Sequence, residues 1–376
     1  MNIPSSWQIL PLQKVAKLQT GLALNSKLKI LCPVCVPYLR VANVQAGHIE
    51  LGDLKTVVIE SSTMQRFVLH PGDVLLTEGG DFDKLGRGAV WRGQISPCLH
   101  QNHVFAIRTD RLKLLPEFLS YQTESNYGRN YFLSCSKQST NLASINSTQI
   151  KNFPVIVPPL NEQRRIAEFL GTWDKAIEKL EQLIAAEEAV LNAYLSRFVS
   201  AYESQNIPLG KLDGVKIEKG RSVTKSLLTG GDIPVIAGGK TTPYYCSAYT
   251  HDGETVTISA SGAYAGYVWY HSGKIWASDC NVLTSSAINV KFIFFALKYQ
   301  QQRIYSLQSG GAQPHVYAKD IEKILIPMLP RDKQDEIVKI LSLFEQKALL
   351  HRQELAALQK QKRGLMQKLL TGTWRI

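Results

Sequence analysis

The stretch Ile150-Lys-Asn-Phe-Pro-Val-Ile-Val-Pro-Pro-Leu-Asn-Glu-Gln163 decides the fold, because its frame occurs twice in the chain. Without a gap, its isoleucine, proline and glutamine at positions 150, 159 and 163 recur at positions 321, 330 and 334. In both copies a proline precedes a long run that contains no further proline, as the start of a helix requires. The chain is therefore predicted to consist of two copies of one module, each ending in a helix.

Matching segments also occur upstream of this frame, as expected for an internal repeat. The pairs are Lys17–Gly21 with Lys216–Gly220, Val36–Leu39 with Ile233–Ile236, Gly72–Thr77 with Gly253–Ile258, Gly88–Trp91 with Gly266–Trp269, and His103-Val104 with Asn281-Val282. The second copy is shorter between these segments, and loops that vary over a constant frame usually carry binding specificity. The predicted domains are residues 1–159, 160–203, 204–330 and 331–376.

Each copy ends in a predicted helix of about 40 residues, or roughly 60 Å at 1.5 Å per residue. Apolar residues recur there in steps of three and four, which is typical of a coiled-coil seam. The predicted seam residues are Ile166, Leu170, Trp173, Ile177, Leu180, Ile184, Ile337, Leu341, Phe344, Leu355 and Leu358. So narrow a stripe needs a partner helix. We expect the two helices to pair antiparallel, with Ile166 opposite Leu369, Glu187 opposite Ala348 and Trp173 beneath a cation–π contact from Lys362.

The parts between the helices are predicted to be mixed α/β (α+β). Short alternating strands (Thr56–Ile59, Asp73–Thr77, Ala89–Arg92, His103–Arg108) precede a helix near Pro116–Tyr127, and the second copy repeats this with Thr255–Ser259, Ala265–Tyr270 and a helix near Val290–Gln302. The whole is an α/β fold of two globular domains joined by two long antiparallel helices, with a pseudo-two-fold internal repeat.

Composition restricts the class of protein. The net charge of +12 points toward a polyanionic partner, and 44% hydrophobic with 20% charged residues is the composition of a globular protein. No window approaches the ~20 apolar residues of a membrane helix, and no basic, apolar leader opens the chain. Six scattered cysteines suit a reducing cytoplasm better than a disulfide framework. We therefore expect a cytoplasmic protein without a membrane contact.

Two segments carry a family resemblance that covers essentially the whole chain: Pro158-Pro-Leu-Asn-Glu-Gln-Arg-Arg-Ile166 and Lys362-Arg-Gly-Leu-Met-Gln-Lys-Leu-Leu-Thr-Gly372. The chain resembles the specificity subunit of Type I restriction–modification systems, and the turn Glu78-Gly-Gly-Asp…Gly86-Arg-Gly88 is similar to the glycine-rich loop of that family's recognition domains. The second helix start departs from the family pattern, because Lys333 stands where a glutamate usually precedes the glutamine.

The resemblance implies that each globular part is a target recognition domain reading one half of a split site in double-stranded DNA. It also implies that the helices set the spacer and dock two modification subunits, which bind S-adenosylmethionine and methylate adenine. Restriction subunits using ATP and Mg²⁺ would complete the nuclease. No catalytic residue, cofactor or metal is expected on this chain itself.

Candidate DNA contacts follow from chemistry, since phosphates attract cations and base edges bond amides, hydroxyls and guanidinium groups. The first module offers Lys84, Arg87 and Arg92 around its glycine turn and the polar residues Gln138, Ser139 and Asn141. The second offers Lys240, Tyr244, Ser261, Tyr264, Gln313 and His315.

Other motifs do not predict a catalytic or metal site. Cys32-Pro-Val-Cys35 has zinc or redox spacing but lacks a second ligand pair, and the glycine pairs lack a Walker or dinucleotide fingerprint. No adenine-methyltransferase motif or nuclease carboxylate cluster is present. Two further hypotheses stay open beside the DNA-reading subunit. One is a coiled-coil scaffold with protein-binding end domains, and the other is an enzyme of unrecognised type.

Overall fold

The computed structural model describes residues 3–23, 31–80, 82, 85–138, 143–201, 205–228 and 230–376, with the side chains of all but 138 and 198–201. Two compact units make up the chain: unit 1 comprises Met1–Lys179 with Leu355–Ile376, and unit 2 comprises Leu180–Glu354. Each of the two long helices therefore contributes one half to each unit.

Unit 1 contains a mixture of short strands and helices. Its strands are β1 (Gln8–Pro11), β2 (Ala16–Thr20), β3 (Pro33–Leu39), β4 (Lys55–Glu60), β5 (Val74–Thr77), β6 (Gly79–Gly80), β7 (Gly88–Val90), β8 (Leu99–His100), β9 (Val104–Thr109), β10 (Lys137–Gln138), β11 (Ala143–Ser144) and β12 (Pro154–Val157). Its helices are α1 (Ser61–Phe67), α2 (Pro116–Glu124), α3 (Asn126–Cys135), α4 (Ser147–Lys151) and the first half of α5 (Leu160–Ala201).

Unit 2 contains the counterparts of most of these elements. Its strands are β13 (Asn206–Pro208), β14 (Val215–Lys219), β15 (Ile233–Ile236), β16 (Tyr244–Cys246), β17 (Glu254–Ser259), β18 (Val268–Ser272), β19 (Trp276–Ala277), β20 (Cys280–Ser285) and β21 (Leu325–Pro327). Its helices are α6 (Val290–Tyr299), α7 (Gln301–Tyr305), α8 (Ala318–Ile321), the first half of α9 (Arg331–Leu369) and the second half of α5. Short 3-10 turns occupy Leu12–Lys14, Val41–Asn43, Leu209–Lys211 and Lys225–Leu228.

The two units share one sheet topology. The main sheet has the order β2-β9-β5-β7 in unit 1 and β14-β20-β17-β18 in unit 2, antiparallel throughout. A smaller sheet, β4-β3-β8 or β16-β15-β19, contains one parallel pair in each unit. A two-stranded sheet pairs the start of each module with its end, as β1-β12 and β13-β21. The repeat predicted from sequence is thus a repeat of the fold.

Close packing explains one of the repeated glycines. A Cβ atom at Gly21 would lie 2.2 Å from the carbonyl oxygen of Gln101, and one at Gly220 would lie 2.2 Å from that of Ser278. Both glycines directly follow the first strand of the main sheet, where the backbone at the end of β8 or β19 passes too close for any side chain. Glycine is therefore required as the last residue of both segments, Lys17–Gly21 and Lys216–Gly220.

The predicted helix near Pro116–Tyr127 is wrong in its end, because the structure has two helices, α2 and α3, separated by Ser125. The Ser125 hydroxyl accepts a hydrogen bond from the backbone N–H of Gly128, which starts α3. In unit 2 the same division occurs at Gln300, between α6 and α7.

The predicted strand Ala265–Tyr270 begins later, at Val268, because Gly266 adopts a φ of +90° in the preceding turn.

A buried glutamine joins the start of each long helix to the globular domain that precedes it in the chain. In unit 1 the Gln163 amide accepts from the backbone N–H of Leu115 (2.9 Å) and donates to the carbonyls of Lys113 and Pro158 (2.8 Å each). In unit 2 Gln334 accepts from Asn289 N–H (2.9 Å) and donates to Leu329 (2.8 Å). Buried backbone groups need such partners, which gives the repeated glutamine a structural role.

Lys333 does not disturb the second helix start. At the equivalent position of the first start, Glu162 accepts hydrogen bonds from Trp7 Nε1 (3.1 Å) and from Arg375 (2.6 Å), near the two ends of the chain. Lys333 instead pairs with Glu336 one turn further along its own helix, at 2.9 Å. Lys333 therefore stands at the position where unit 1 needs a carboxylate for Trp7 and Arg375, and it forms a different ion pair in unit 2.

The long helices pair antiparallel within each unit. In unit 1, Ile166 and Leu170 of α5 share a core with Met366 and Leu369 of α9. In unit 2, Leu195 of α5 shares a core with Ile337 and Leu341 of α9, and Glu187 binds Lys347 (2.7 Å) and His351 (2.9 Å). The residue numbers of the partners on α9 thus fall as those on α5 rise, as expected for an antiparallel pair.

The predicted contact between Lys362 and Trp173 is wrong. The Lys362 ammonium lies 5.3 Å above the ring of Tyr121 and pairs with Asp174 at 2.7 Å and Glu124 at 3.1 Å. Burial would lower the pKa of Lys362, but the two carboxylates raise it overall. A buried ammonium requires paired charge rather than a ring alone, and α2 supplies two of the partners that the helix stripe did not reveal.

Neither long helix, nor any other helix in the described part of the chain, has the length and apolar content that crossing a membrane requires.

Candidate nucleic-acid interface

In unit 1 two segments that were singled out separately in the sequence belong to one small sheet, with the order β10-β11-β6. The glycine turn begins with β6, and Lys137-Gln138 of the polar stretch form β10. Strand β11 pairs with β6, with Ala143 opposite Gly80 and Ser144 opposite Gly79. The N–H of Ile145 also donates to the carbonyl of Glu78 at 2.8 Å. The two polar segments therefore form one surface.

Unit 2 pairs the equivalent segments. Ser261 and His315 form an antiparallel bridge, and the N–H of Gly262 donates to the carbonyl of Pro314 at 3.0 Å. The N–H of Val316 donates to Ala260 at 3.0 Å, which matches the Ile145–Glu78 bond of unit 1. We call these segments the paired loops: Gly79–Gly80 with Ala143–Ser144 in unit 1, and Ser261–Gly262 with residues 314–315 in unit 2.

The unit 1 candidates are distributed as follows. Arg87 is half-buried, and its carbonyl accepts from Thr77 N–H at 2.9 Å, close to the start of the glycine turn. Arg92 lies at the other end of β7, exposed and 3.9 Å from Glu117 of α2, so the structure does not bring it to the paired loops. Gln138 pairs with Ala143 through its backbone. Lys84, Ser139 and Asn141 lie outside the described residues.

Gly86 fixes the path of the glycine turn. Its φ is +63°, in the left-handed region, and an added Cβ would lie 2.5 Å from the buried ring of Phe132. Other residue types rarely adopt this conformation without strain. The backbone at Gly86 therefore lies directly against the core of unit 1, next to the half-buried Arg87.

The unit 2 candidates collect more closely. Ser261 is buried and donates to the Asp279 carboxylate, and the backbone of Gly238 lies against its carbonyl. The Lys240 ammonium lies 4.7 Å from the ring of Tyr264. Gln313 is exposed, and His315 stacks on Tyr317 with ring centroids 6.2 Å apart. The structure thus brings together three segments: the Gly238–Lys240 turn and both paired loops.

Tyr244 lies apart from that group on β16, opposite Val235, with 56% of its surface exposed. Its neighbour Tyr245 is equally exposed at 55%. These two exposed tyrosines lie on the hairpin β15-β16, whose connection carries Lys240.

Two other groups of basic and aromatic residues were missed by sequence reasoning. In unit 2, Lys298 and Tyr267 adjoin Lys240. Lys298 was hidden because it lies within the apolar run of α6, which reads as a core helix. In unit 1, Lys17, Arg66 and Arg108 line an open cavity of about 350 Å³. Buried Asp73 holds Arg108 by two hydrogen bonds of 2.8 Å, and this pairing raises the pKa of Arg108.

The predicted seam residues all lie on covered faces of the helices. Those that are buried are Ile166, Leu170, Leu180, Ile184, Ile337 and Leu341, and those that are half-buried are Trp173, Ile177, Phe344, Leu355 and Leu358. Other large apolar residues of the helices face solvent: Phe169, Leu183, Val190, Leu343, Leu349 and Leu350.

No group of histidine, cysteine or acidic residues within the described ranges is arranged to hold a metal ion. Cys32 and Cys35 are both exposed thiols at the start of β3.

Comparison with known proteins identifies the family. The Type I restriction modification DNA specificity domain matches residues 4–188 and again residues 209–360. The chain belongs to this family. This specificity subunit has two such domains, in agreement with the repeat. The predicted function, a DNA specificity subunit, and the predicted fold are both confirmed. The putative type I restriction enzyme MjaX specificity subunit of Methanocaldococcus jannaschii is 24% identical over all of this chain and 95% of its own length.

Other relatives agree with this assignment. The EcoKI specificity subunit of Escherichia coli is 28% identical over 41% of this chain and 31% of its own length. The crystal structure of an S subunit from M. genitalium superposes with a TM-score of 0.63 at 20% identity, covering 98% of this specificity subunit and 96% of that one. A second structure, from work on the assembly and conformational transition of a type I system, gives 0.59 at 18% identity over both full chains. These two structures show the shared fold.

Proposed function

We propose that each unit of this specificity subunit reads one half of a bipartite site in double-stranded DNA through its paired loops. One observation carries the proposal: the same two loops pair in both units while their side chains differ. In unit 1 the paired residues are glycine, alanine and serine, with Arg87 beside them, whereas in unit 2 they include Ser261 and His315, with Tyr264 beside them. A constant frame with variable side chains is what two different half-sites require.

The chemistry of these loops suits base readout. A guanidinium group such as that of Arg87 bonds guanine, and hydroxyl, amide and imidazole groups bond other base edges. Surrounding lysines and arginines contribute phosphate contacts, which position the protein without specifying sequence. The net charge of +12 favours such contacts.

The long helices are proposed to dock two modification subunits and to set the number of unspecified base pairs between the half-sites. The exposed apolar residues of α5 and α9, such as Leu183 and Leu343 at 42% and 61% exposure, support a protein-binding role. The modification subunits would bind S-adenosylmethionine and methylate adenine, and restriction subunits would use ATP and Mg²⁺. This chain would supply no catalytic group to either reaction.

Sequence-selective DNA binding tests the proposal against a purely scaffolding role. The subunit in complex with its modification subunits should shift a duplex containing its site more strongly than a scrambled duplex, and salt should weaken both complexes. R87A should weaken specific binding by about 1–3 kcal/mol while leaving the melting temperature unchanged. R92A is the matched control, since Arg92 lies at the far end of β7. Equal binding of all duplexes by the wild type would contradict sequence readout.

A further inference from the structure

Two lysines of unit 2 lie over the same aromatic ring. Lys240 follows β15, and its ammonium lies 5.6 Å from the ring centroid of Tyr267 and 4.7 Å from that of Tyr264. Lys298 comes from α6, and its ammonium lies 4.7 Å from the centroid of Tyr267. A tyrosine ring attracts each cation through its quadrupole but does not neutralise it.

Neither ammonium forms an ion pair with a carboxylate of the described residues. Among the described residues, no carboxylate lies within ion-pair distance of Lys240 or Lys298, whereas Lys291 on the same helix pairs with Glu345 at 3.1 Å. Burial lowers the pKa of Lys298 and the positive charge of Lys240 lowers it further, while the carboxylate of Glu345, beyond ion-pair distance, offsets part of this effect. The fold therefore holds two mutually repelling cations side by side, at a cost that a bound anion would remove.

We propose that Lys240 and Lys298 together bind one phosphate diester of the DNA backbone above the ring of Tyr267. The inference rests on the proposed function, because Lys240 adjoins the unit 2 paired loops through Gly238. Lysine binds phosphate as a point charge without reading sequence. The surface is open enough for a polymer, since Lys240 is exposed and Tyr264 is 45% exposed.

The phosphate clamp uses a ring that unit 1 lacks at the matching position. The carbonyl of Tyr267 accepts from the N–H of Ser259 at 3.0 Å, as the carbonyl of Arg87 accepts from that of Thr77 at 2.9 Å, and both residues follow a glycine with positive φ. Arg87 therefore takes the place of Tyr267 in unit 1, although the repeat in the sequence aligns Ala89 with it. The clamp would therefore fix how one recognition domain sits on the backbone, and its loss should affect all sequences equally.

The test measures how salt changes DNA affinity. The full chain, in complex with its modification subunits, is titrated with a labelled mixed-sequence duplex between about 50 and 200 mM salt. The double variant K240Q/K298Q should bind about tenfold more weakly at the low end, and its plot of log affinity against log salt should be shallower by about one unit. K323Q is the matched control, because Lys323 is exposed and already paired with Asp320 at 2.9 Å, and it should behave as wild type.

The outcomes separate the clamp from the wider function. Unchanged affinity and slope in the double variant, with a wild type that binds DNA, would overturn the clamp alone. A wild type that binds no duplex at any salt would overturn the proposed function with it.

Inorganic phosphate is the second probe. If it raised the melting temperature of the wild type but not of the double variant, while DNA binding stayed equal, the site would take a small anion and the clamp would be wrong. The single variant K298M should melt no lower than wild type, because methionine keeps most of the side-chain stem and removes the repulsion between the two charges. A lower melting temperature together with loss of DNA binding would assign Lys298 to folding and overturn the clamp.

Discussion

At the start of each long helix, one buried glutamine satisfies backbone groups of the domain in front of it. Gln334 accepts from Asn289 N–H and donates to Leu329, as Gln163 does with Leu115 and Pro158. Replacing Gln334 by leucine would leave a buried donor and a buried acceptor unpaired. We expect Q334L to lower the free energy of unfolding by about 1–3 kcal/mol, measured by denaturant titration. Q353L, at an exposed position of the same helix, is the control, and an equal loss in both variants would contradict the role of Gln334.

Acid should destabilise unit 2 through His271. Burial lowers the pKa of His271 from 6.5 to about 4, and its Nε2 lies 2.8 Å from Thr257 Oγ1. The unfolded chain then binds a proton more readily than the fold, so this stability is complete above pH 6.5 and is lost as the pH falls toward 4. The wild type should lose up to about 3 kcal/mol more than H271Q between these values, followed by denaturant unfolding at each pH. H70Q, at an exposed histidine, should follow the wild type. Parallel losses in wild type and H271Q would contradict the assignment.

Residue patterns predicted positions better than partners. The heptads placed Ile166, Leu170 and Leu341 on a covered face, because helical periodicity is local. They could not reveal that Lys362 binds Glu124 and lies over Tyr121, since α2 packs beside the helices only in the folded chain. Lys298 was missed for a similar reason, because an apolar neighbourhood in sequence conceals a polar end that reaches the surface.

At the level of elements, the repeat could be predicted because both copies have the same close backbone contacts and the same buried backbone groups to satisfy. The required glycines at positions 21 and 220 and the glutamines at 163 and 334 recur wherever the fold is repeated. Helix ends were predicted less well. Ser125 divides the helix expected near Pro116–Tyr127 because its hydroxyl caps α3, and helix periodicity continues across such a cap without a signal. The pairing of β6 with β11 joins residues too far apart in sequence for any local pattern to predict.

The length of the helices should set the spacer of the DNA site. Inserting seven residues after Leu180 in α5 and after Glu354 in α9 keeps the seam in register and adds about 10 Å to each helix. We expect the methylated site to gain about three unspecified base pairs, at ~3.4 Å each, with both half-sites unchanged. Methylome sequencing reads both quantities at once.

A seven-residue insertion after Gly273 is the control for this change, because a side chain there would meet open space in the turn after β18. It should leave the spacer as it was. Retention of the original spacer by an active enzyme with lengthened helices would show that the helices do not set it.

For the whole molecule, the central claim is that the two recognition domains read DNA independently. The sheet order, the glutamine contacts and the loop pairing are repeated in both units, and each unit has its own core. The sequence could predict two modules from their shared frame. It could not predict which bases each one reads, because that depends on side chains in loops whose lengths and residues differ between the copies.

Domain exchange followed by methylome sequencing tests this claim most directly. Residues 1–150 are replaced by the equivalent segment of another specificity subunit with a known site, and the chimera is expressed with the modification subunits of this system. We predict a methylated site in which one half is that of the donor, while the other half and the spacer remain those of this protein. A chimera that is active but changes both halves, or neither, would contradict independent reading by the two units.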